Sequence, residues 1–470
     1  MLLASLHRAG VAAAALCLPV AAAACLVSSH EGSAEPGAGD KADDPSTQGP
    51  RVPPIQRLLV VLVSFTDDHI VGSEAEWSAK LFGDADRTVA DYYRTVSGGR
   101  FALLPAHETG GTVDDGVVAV QLTQPNPNPG RTARDVTPVY REALTLADSA
   151  VDFASFDSNG DGALSGGELP IVFVMAGPES STTGDFSRGF FGNARAIDEP
   201  FEAPILDGVQ IGRRLSCAGD RLCYGRSPFV VIGELQGVAE RAHVATIAVI
   251  AHELGHALFN LPDMYNVDNN TPDATQGRFP VGGWDIMGLG VFGAAPGELS
   301  GERPVHMTAW TKQQLGFVEP RIVRPVSTPM EVRLFASDQP AYEVLELPTD
   351  NPDEYFLLEA RGFAGYDQGL SQTLLGFGPG ALGLEVLHVN NAKHFGGRCW
   401  LFGSCAWLMK ADGLASPDGQ TNLYYPGNKV ELGPTTTPST QLANGLASGI
   451  SITGVTIDGD AVVATVSSTH

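Results

Sequence analysis

Apolar and polar positions fall into blocks along this chain, and the blocks predict elements. An apolar run from Ala9 to Val27 gives way at once to Ser28-Ser29-His30-Glu31-Gly32, and from there to Pro54 there is almost no large apolar residue. Such a stretch cannot bury enough surface to offset its ordering entropy, so 25–54 is expected to be a disordered tether. The pattern returns at Leu58-Leu59-Val60-Val61-Leu62-Val63-Ser64-Phe65, a continuous apolar run rich in β-branched residues that reads as a buried strand. A helix is expected to lead into Asp91-Tyr92-Tyr93, with Ser97-Gly98-Gly99 turning the chain into Arg100 to Leu104. From Val244 to Leu258 the only proline or glycine is Gly255, and Ile247, Ile250, Ala251, Leu254 and Leu258 recur at three and four, which predicts a largely buried helix. After about Arg321 the texture becomes short β-rich runs, among them Glu331–Phe335, Tyr355–Glu359 and Leu382–Leu387, separated by turn signals. They suggest a β-sandwich or an extended β-region packed on the preceding part.

The first block reads as an address. His7 and Arg8 precede it, it contains Pro19, and it ends in Ala22-Ala23-Ala24, small residues of the kind a signal peptidase prefers. At 19 residues it could just span a bilayer, but a cleaved signal peptide over 1–24 is the favoured expectation. Cys25 resembles the lipid-modified cysteine of bacterial lipoproteins, although Ala22 stands where leucine is usual. Of the six cysteines, Cys217 with Cys223 and Cys399 with Cys405 form two pairs of identical spacing. Disulfides in an oxidising compartment are favoured over metal thiolates, because each pair is isolated and C-x-x-C is absent. Acidic residues outnumber basic ones by 54 to 29, a net charge of -25 that argues against nucleic-acid binding and suits a soluble exported protein. Membrane association is expected only through a lipid at Cys25.

Candidate chemistry is concentrated at His252-Glu253-Leu254-Gly255-His256. Histidines four apart on a helix leave the same face one turn apart, so two imidazole nitrogens can converge on one Zn²⁺. Glu253, beside the first, can take the proton of a zinc-activated water as it attacks a peptide carbonyl. Gly255 would let another segment approach the helix closely.

The motif continues as Ala257-Leu258-Phe259-Asn260-Leu261-Pro262-Asp263-Met264-Tyr265, and Gly282-Gly283-Trp284-Asp285-Ile286-Met287-Gly288 follows. Here the sequence resembles the immune inhibitor A family of secreted bacterial zinc peptidases, which pair H-E-x-G-H-x-L-G-L-P-D-x-Y with a later G-W-D-x-M-G. Weaker similarity runs over roughly residues 57 to 460 and includes Tyr92 to Gly99, Pro304 to Phe317, Leu358-Glu359-Ala360-Arg361 and Gly365-Tyr366-Asp367. The resemblance implies an α+β fold: a zincin-like catalytic domain over 55–320, with an active-site helix under a mixed sheet, followed by a β-rich region over 321–470. It also implies Asp263 as third zinc ligand and Met287 in an apolar turn beneath the metal. One departure falls at the ligand turn. Phe259-Asn260 stands where the family has a single glycine, moving Asp263 to seven positions beyond His256. Asn260 can adopt the left-handed conformation, so the turn can survive with a bulge. Otherwise Glu298 or Glu302 is the fallback ligand. Tyr265 is a guess for the oxyanion-stabilising donor, and His306 and His388 are read as packing residues.

A second metal is suggested by Asp157-Ser158-Asn159-Gly160-Asp161-Gly162-Ala163-Leu164-Ser165-Gly166-Gly167-Glu168. Asp157, Asn159, Asp161, the Ala163 carbonyl, Ser165 and Glu168 occupy the ligand positions of a twelve-residue calcium loop, with glycine at the sixth. Leu169 to Val174 reads as a strand instead of an exiting helix, so a structural Ca²⁺ is expected and a sensor is not. The function expected is therefore a zinc endopeptidase acting on proteins or peptides outside the cytoplasm. The alternatives are an inactive zincin-fold surface binding or adhesion protein stabilised by calcium, and a metal-dependent hydrolase of another bond.

Overall fold

The computed structural model describes residues 52–130, 135–183, 185, 187–199, 201–216, 223–238, 241–264, 280–391, 405–413 and 418–469. The expected signal peptide and nearly all of the tether, and with them Cys25, lie outside the described residues, as do Cys217, Cys399 and Tyr265. The chain is a mixed α+β protein with several sheets and few helices. Among the described residues, no helix is long and apolar enough to cross a membrane.

The first half runs β1 (Ile55–Ser64), α1 (Glu74–Phe82), α2 (Val89–Val96), β2 (Ala102–Pro105), β3 (Val117–Gln121), α3 (Thr137–Ala147), β4 (Ala163–Leu164) and β5 (Ile171–Pro178). It continues through α4 (Ser180–Thr183), β6 (Asn193–Arg195), β7 (Ile205–Leu206), β8 (Val209–Ile211), β9 (Phe229–Gln236), β10 (His243–Val244) and α5 (Ile247–Phe259). Seven of these strands form one sheet in the order β10-β9-β5-β1-β2, with β3 also on β1 and β6 also on β9. β1 is parallel to β2, β3 and β5, and β5 is parallel to β9, whereas β6 and β10 run antiparallel to β9. The apolar run of β1 is continuous because both faces of the sheet are covered. Leu58, Val60 and Leu62 join Val172, Val174, Val230 and Ile232 against α2 and α5. Leu59, Val61 and Val63 join Phe173, Met175 and Phe229 against Tyr140, Ala143 and Leu144 of α3.

The helix expected from Val244 begins later. His243 and Val244 pair with Gln236 and Leu235 as β10, and Thr246 is extended at φ -77 and ψ 174, its N–H and Oγ1 both donating to Gln236 Oε1. A side-chain acceptor from the neighbouring strand thus fixes the residue before the first turn.

The second half adds α6 (Ala309–Gln314), β11 (Arg321–Ile322), β12 (Met330–Phe335), β13 (Leu345–Pro348), β14 (Glu354–Gly362), β15 (Leu382–Asn390), β16 (Ala406–Leu408), β17 (Ile450–Asp458) and β18 (Ala461–Ser468). A five-stranded sheet, β11-β13-β14-β15-β16, lies between the first half and a three-stranded sheet, β12-β18-β17. Period-two alternation assigns its faces. Tyr355, Leu357, Leu387 and Val389 enter the core that contains α5, while Phe356, Leu358, Leu384 and Val386 pack with Val332, Ile452 and Val462. The β-rich region is therefore part of the packing behind α5.

Candidate metal centre

α5 is buried along almost its whole length, which suits its all-round apolar composition. It stops at Asn260, whose backbone is left-handed at φ 52 and ψ 33. The Asn260 N–H donates to His256 O at 3.0 Å and the Leu261 N–H to Gly255 O at 3.1 Å, satisfying carbonyls that the helix end would leave open. This turn absorbs the extra residue and brings Asp263 back beneath the histidines.

His252 Nε2 and His256 Nε2 stand 3.1 Å apart, and Asp263 Oδ1 is 3.3 Å from the first and 3.2 Å from the second. Three ligands held about 2.0–2.1 Å from a tetrahedral zinc would be separated by about 3.3–3.4 Å, so this nearly equilateral triangle has the size of one face of such a site. Among the described residues, it is the one cluster of three His, Cys, Asp or Glu ligand atoms close enough to share an ion.

The protons point the same way. His252 Nδ1 faces Ile286 O at 2.8 Å and His256 Nδ1 faces Leu261 O at 2.6 Å. A carbonyl can only accept, so each Nδ1 carries the hydrogen, and the Nε2 of each imidazole, when neutral, is left to present its lone pair toward the centre of the triangle. Three such atoms converging on one point suit a shared cation, whether a metal ion or a proton on one imidazole. Burial opposes charging His256, but the Asp263 carboxylate outweighs it and raises that imidazole to about 9. Burial likewise works against ionised Asp263, and the adjacent imidazoles overcome it and hold its carboxyl well below the usual range. The residues present fit a zinc ion.

The turn containing Met287 packs against α5 at Gly255. A Cβ on Gly255 would come within 2.6 Å of Met287 Sδ, so this glycine is what lets the methionine pack against the helix. Met264 N–H donates to Met287 O at 2.8 Å and ties the turn to the ligand segment.

Glu253 is 2% exposed. Burial pushes its carboxyl up, the two imidazoles pull it down, and the charges of Asp263 and Glu179 push it up further. Glu179, fully buried at the end of β5, accepts hydrogen bonds from Ser181 N and Oγ, Thr182 N and Gly192 N. A Cβ on Gly192 would lie 3.6 Å from both Glu179 Oε1 and Glu253 Oε1 and 2.6 Å from Val249 Cγ1. The segment entering β6 therefore passes directly over the helix at Glu253. Sequence reading gave Glu179 and Gly192 no role, and the one signal was a charged residue directly after an apolar strand.

Glu298 and Glu302, the fallback ligands, are engaged by Arg87 and, for Glu298, Arg303, and they are not part of the cluster. His306 is buried against Tyr366, and His388 pairs with Glu354 Oε2 at 3.0 Å between Phe356 and Trp407. Cys223 and Cys405 are disulfide-bonded, and their expected partners lie outside the described residues.

Asp157 to Glu168 is folded as a closed loop. Asp157 accepts from the N–H groups of Gly160, Asp161 and Gly162, Asn159 Oδ1 from Asp161 N, and Asp161 Oδ1 from Ala163 N. Glu168 reaches back to Ser158 Oγ, Asn159 N and Ser165. Gly162 sits at φ +78, which favours glycine at that turn. A short 3-10 turn at Phe153–Phe156 leads in and β5 leads out, as the absence of a helix-forming pattern after the loop predicts. β4 pairs in parallel with β8, anchoring the loop to the β7–β8 hairpin.

No protein-family model matches this chain, and a search of curated proteins finds no match.

Proposed function

We propose that this protein is a zinc-dependent endopeptidase with a zincin-like catalytic unit, exported from the cytoplasm and acting on protein or peptide substrates. The observation that carries the reading is the triangle of His252 Nε2, His256 Nε2 and Asp263 Oδ1 with both Nδ1 atoms bonded to carbonyls. These three atoms would hold the metal. When bound there, Zn²⁺ supplies Lewis-acid activation of water and of a peptide carbonyl. Glu253, on the same helix and held above the ordinary carboxylate range, is placed to accept the proton of the attacking water and return it to the leaving amine. Burial of Glu253 and His252 keeps bulk water away from these groups and strengthens their electrostatic coupling.

The left-handed turn at Asn260 supports the active reading over an inactive binding protein, whose basis was a distorted turn at Phe259-Asn260. We also infer that Asp157, Asn159, Asp161, the Ala163 carbonyl, Ser165 and Glu168 hold a structural Ca²⁺, since they offer only hard oxygen donors.

Casein digestion with and without a zinc chelator, together with metal content of the purified protein, tests the reading. One equivalent of zinc and chelator-sensitive cleavage are expected. Retained digestion after complete zinc removal would overturn it.

A further inference from the structure

Asp285 has no contact with the metal-ligand triangle, yet its geometry links it to His252. The Ile286 carbonyl that receives His252 Nδ1–H at 2.8 Å and the Met287 N–H that donates to Asp285 Oδ1 at 2.7 Å belong to the same peptide group. A peptide group is planar and rigid, so gripping its N–H fixes the direction of its carbonyl. Hydrogen bonds in such a chain also polarise one another. A carboxylate charge at one end of the peptide thus makes the carbonyl at the other end a stronger acceptor.

Asp285 is fully buried and is itself held from the other side: Oδ2 accepts from Thr308 N at 2.7 Å, Thr308 Oγ1 at 2.9 Å and Thr311 Oγ1 at 2.7 Å, at the start of α6. The residue before it is fixed from the β-rich region. Arg361 Nη1 donates to both Trp284 O and Glu385 Oε2 at 3.2 Å, while Nε and Nη2 fork onto Asp367 at 2.7 Å. Burying such charges is costly before pairing, and a well-packed apolar replacement is often no less stable. Stability alone is a weak reason for this arrangement, whereas the bonds from Thr308, Thr311 and Met287 together hold the Asp285 carboxylate against the Ile286–Met287 peptide.

We propose that Asp285 is a positioning residue of the metal centre, acting on His252 through the Ile286–Met287 peptide as a relayed form of the carboxylate–histidine–metal arrangement. The proposal rests on the zinc reading. Outer partners that orient a metal-bound histidine typically change metal affinity by about 10–100-fold when removed. Asp285→Asn neutralises the carboxylate, whereas Thr311→Val removes one of its supports and leaves the bond to Met287 in place.

Zinc affinity is measured on the full chain by competition with a chromophoric chelator, beside the melting temperature of each metal-free protein. We expect Asp285→Asn to bind zinc at least about tenfold more weakly. Thr311→Val is expected to melt lower while keeping wild-type affinity. Equal affinity in wild type and Asp285→Asn overturns the proposal, and so does a loss of affinity in both variants that tracks their loss of stability. A wild type that binds no zinc overturns the functional reading instead, which separates the two failures. Should Asp285→Asn not fold, the ring nitrogens of His252 in metal-free wild type decide by NMR. A single Nδ1–H tautomer with a slowly exchanging proton is expected, and a mixture of tautomers overturns the proposal.

Discussion

Arg226 Nη1 donates to Asn260 Oδ1 at 2.8 Å, so the residue that ends the ligand helix is held by its side chain as well as by its left-handed backbone. Leu261, the next residue, gives its carbonyl to His256 Nδ1, and Asp263 follows two positions later. Position 260 therefore sets the placement of both the Leu261 carbonyl and Asp263 in the candidate site. Asn260→Gly keeps the backbone conformation and is expected to retain zinc with a small loss of stability from the missing Arg226 bond. Asn260→Val places a β-branched residue in the left-handed region and is expected to cost at least about 1–2 kcal/mol, with weaker zinc binding. Denaturant unfolding with zinc titration checks both. Equal stability and zinc affinity in all three proteins would remove the turn from the account.

Glu253→Gln preserves size and removes the proton acceptor. The variant is expected to bind one zinc, melt close to wild type and lose at least about 100-fold in peptidase activity. Steady-state cleavage of a fluorogenic peptide with parallel metal analysis measures this. Undiminished activity would assign the base elsewhere.

Much of this site was legible because its signals are local. The spacing of His252 and His256 and the apolar periodicity around them place both imidazoles on one helix face, and the run at Leu58 to Phe65 predicts β1 correctly. Asn260 carried its own turn chemistry. What could not be read depends on partners distant in the chain. Glu354, Glu359 and Arg361 lie in β14, and the whole strand is buried because Asp367, Glu385, His388 and Lys312 arrive from other segments to pair with them. The role of Asp285 was hidden for the same reason: its donors, Thr308 and Thr311, lie 23 and 26 residues away. The start of α5 was misplaced by three residues because Gln236, on another strand, captures Thr246.

His306 supplies a pH prediction away from the metal centre. Its ring nitrogens have no hydrogen-bond partner among the described residues, and it lies near Asp367, Lys312, Arg361 and Glu359. Burial lowers it most, Lys312 and Arg361 add to that, and Asp367 and Glu359 oppose it, leaving it at about 3. The folded protein then keeps this imidazole neutral while the unfolded chain protonates it below about 6.5. Between those values the unfolded state binds one more proton, so stability falls as pH falls, by up to about 1.4 kcal/mol per unit. His306→Leu removes that proton. Its stability loss between pH 6.5 and 5 should be smaller than that of wild type by about 1.7 kcal/mol, read from urea unfolding at the two pH values. Parallel losses in the two proteins would show that His306 titrates alike in both states.

The calcium loop should respond independently of zinc. Its donors are all oxygen, whereas the ligand triangle has two imidazole nitrogens, and these sets select different metals. A ligand that binds only the folded state raises stability by RT ln(1 + [L]/Kd), about 2.7 kcal/mol at a hundredfold excess over Kd. A calcium-selective chelator is therefore expected to lower the melting temperature by several degrees while zinc stays bound. The effect should reach the sheet, because β4 within the loop pairs with β8 and the loop leads directly into β5. Asp157→Ala with Glu168→Ala removes both ends of the loop, including the Glu168 contacts that fold it back on Ser158 and Ser165. That double variant should melt at the chelated wild-type temperature or somewhat below it, ignore added calcium, and retain its peptidase activity at low temperature. Calorimetry with and without chelator on both proteins decides the matter: a wild type indifferent to calcium and a double variant that melts beside it would reduce Asp157 to Glu168 to a hydrogen-bonded acidic turn.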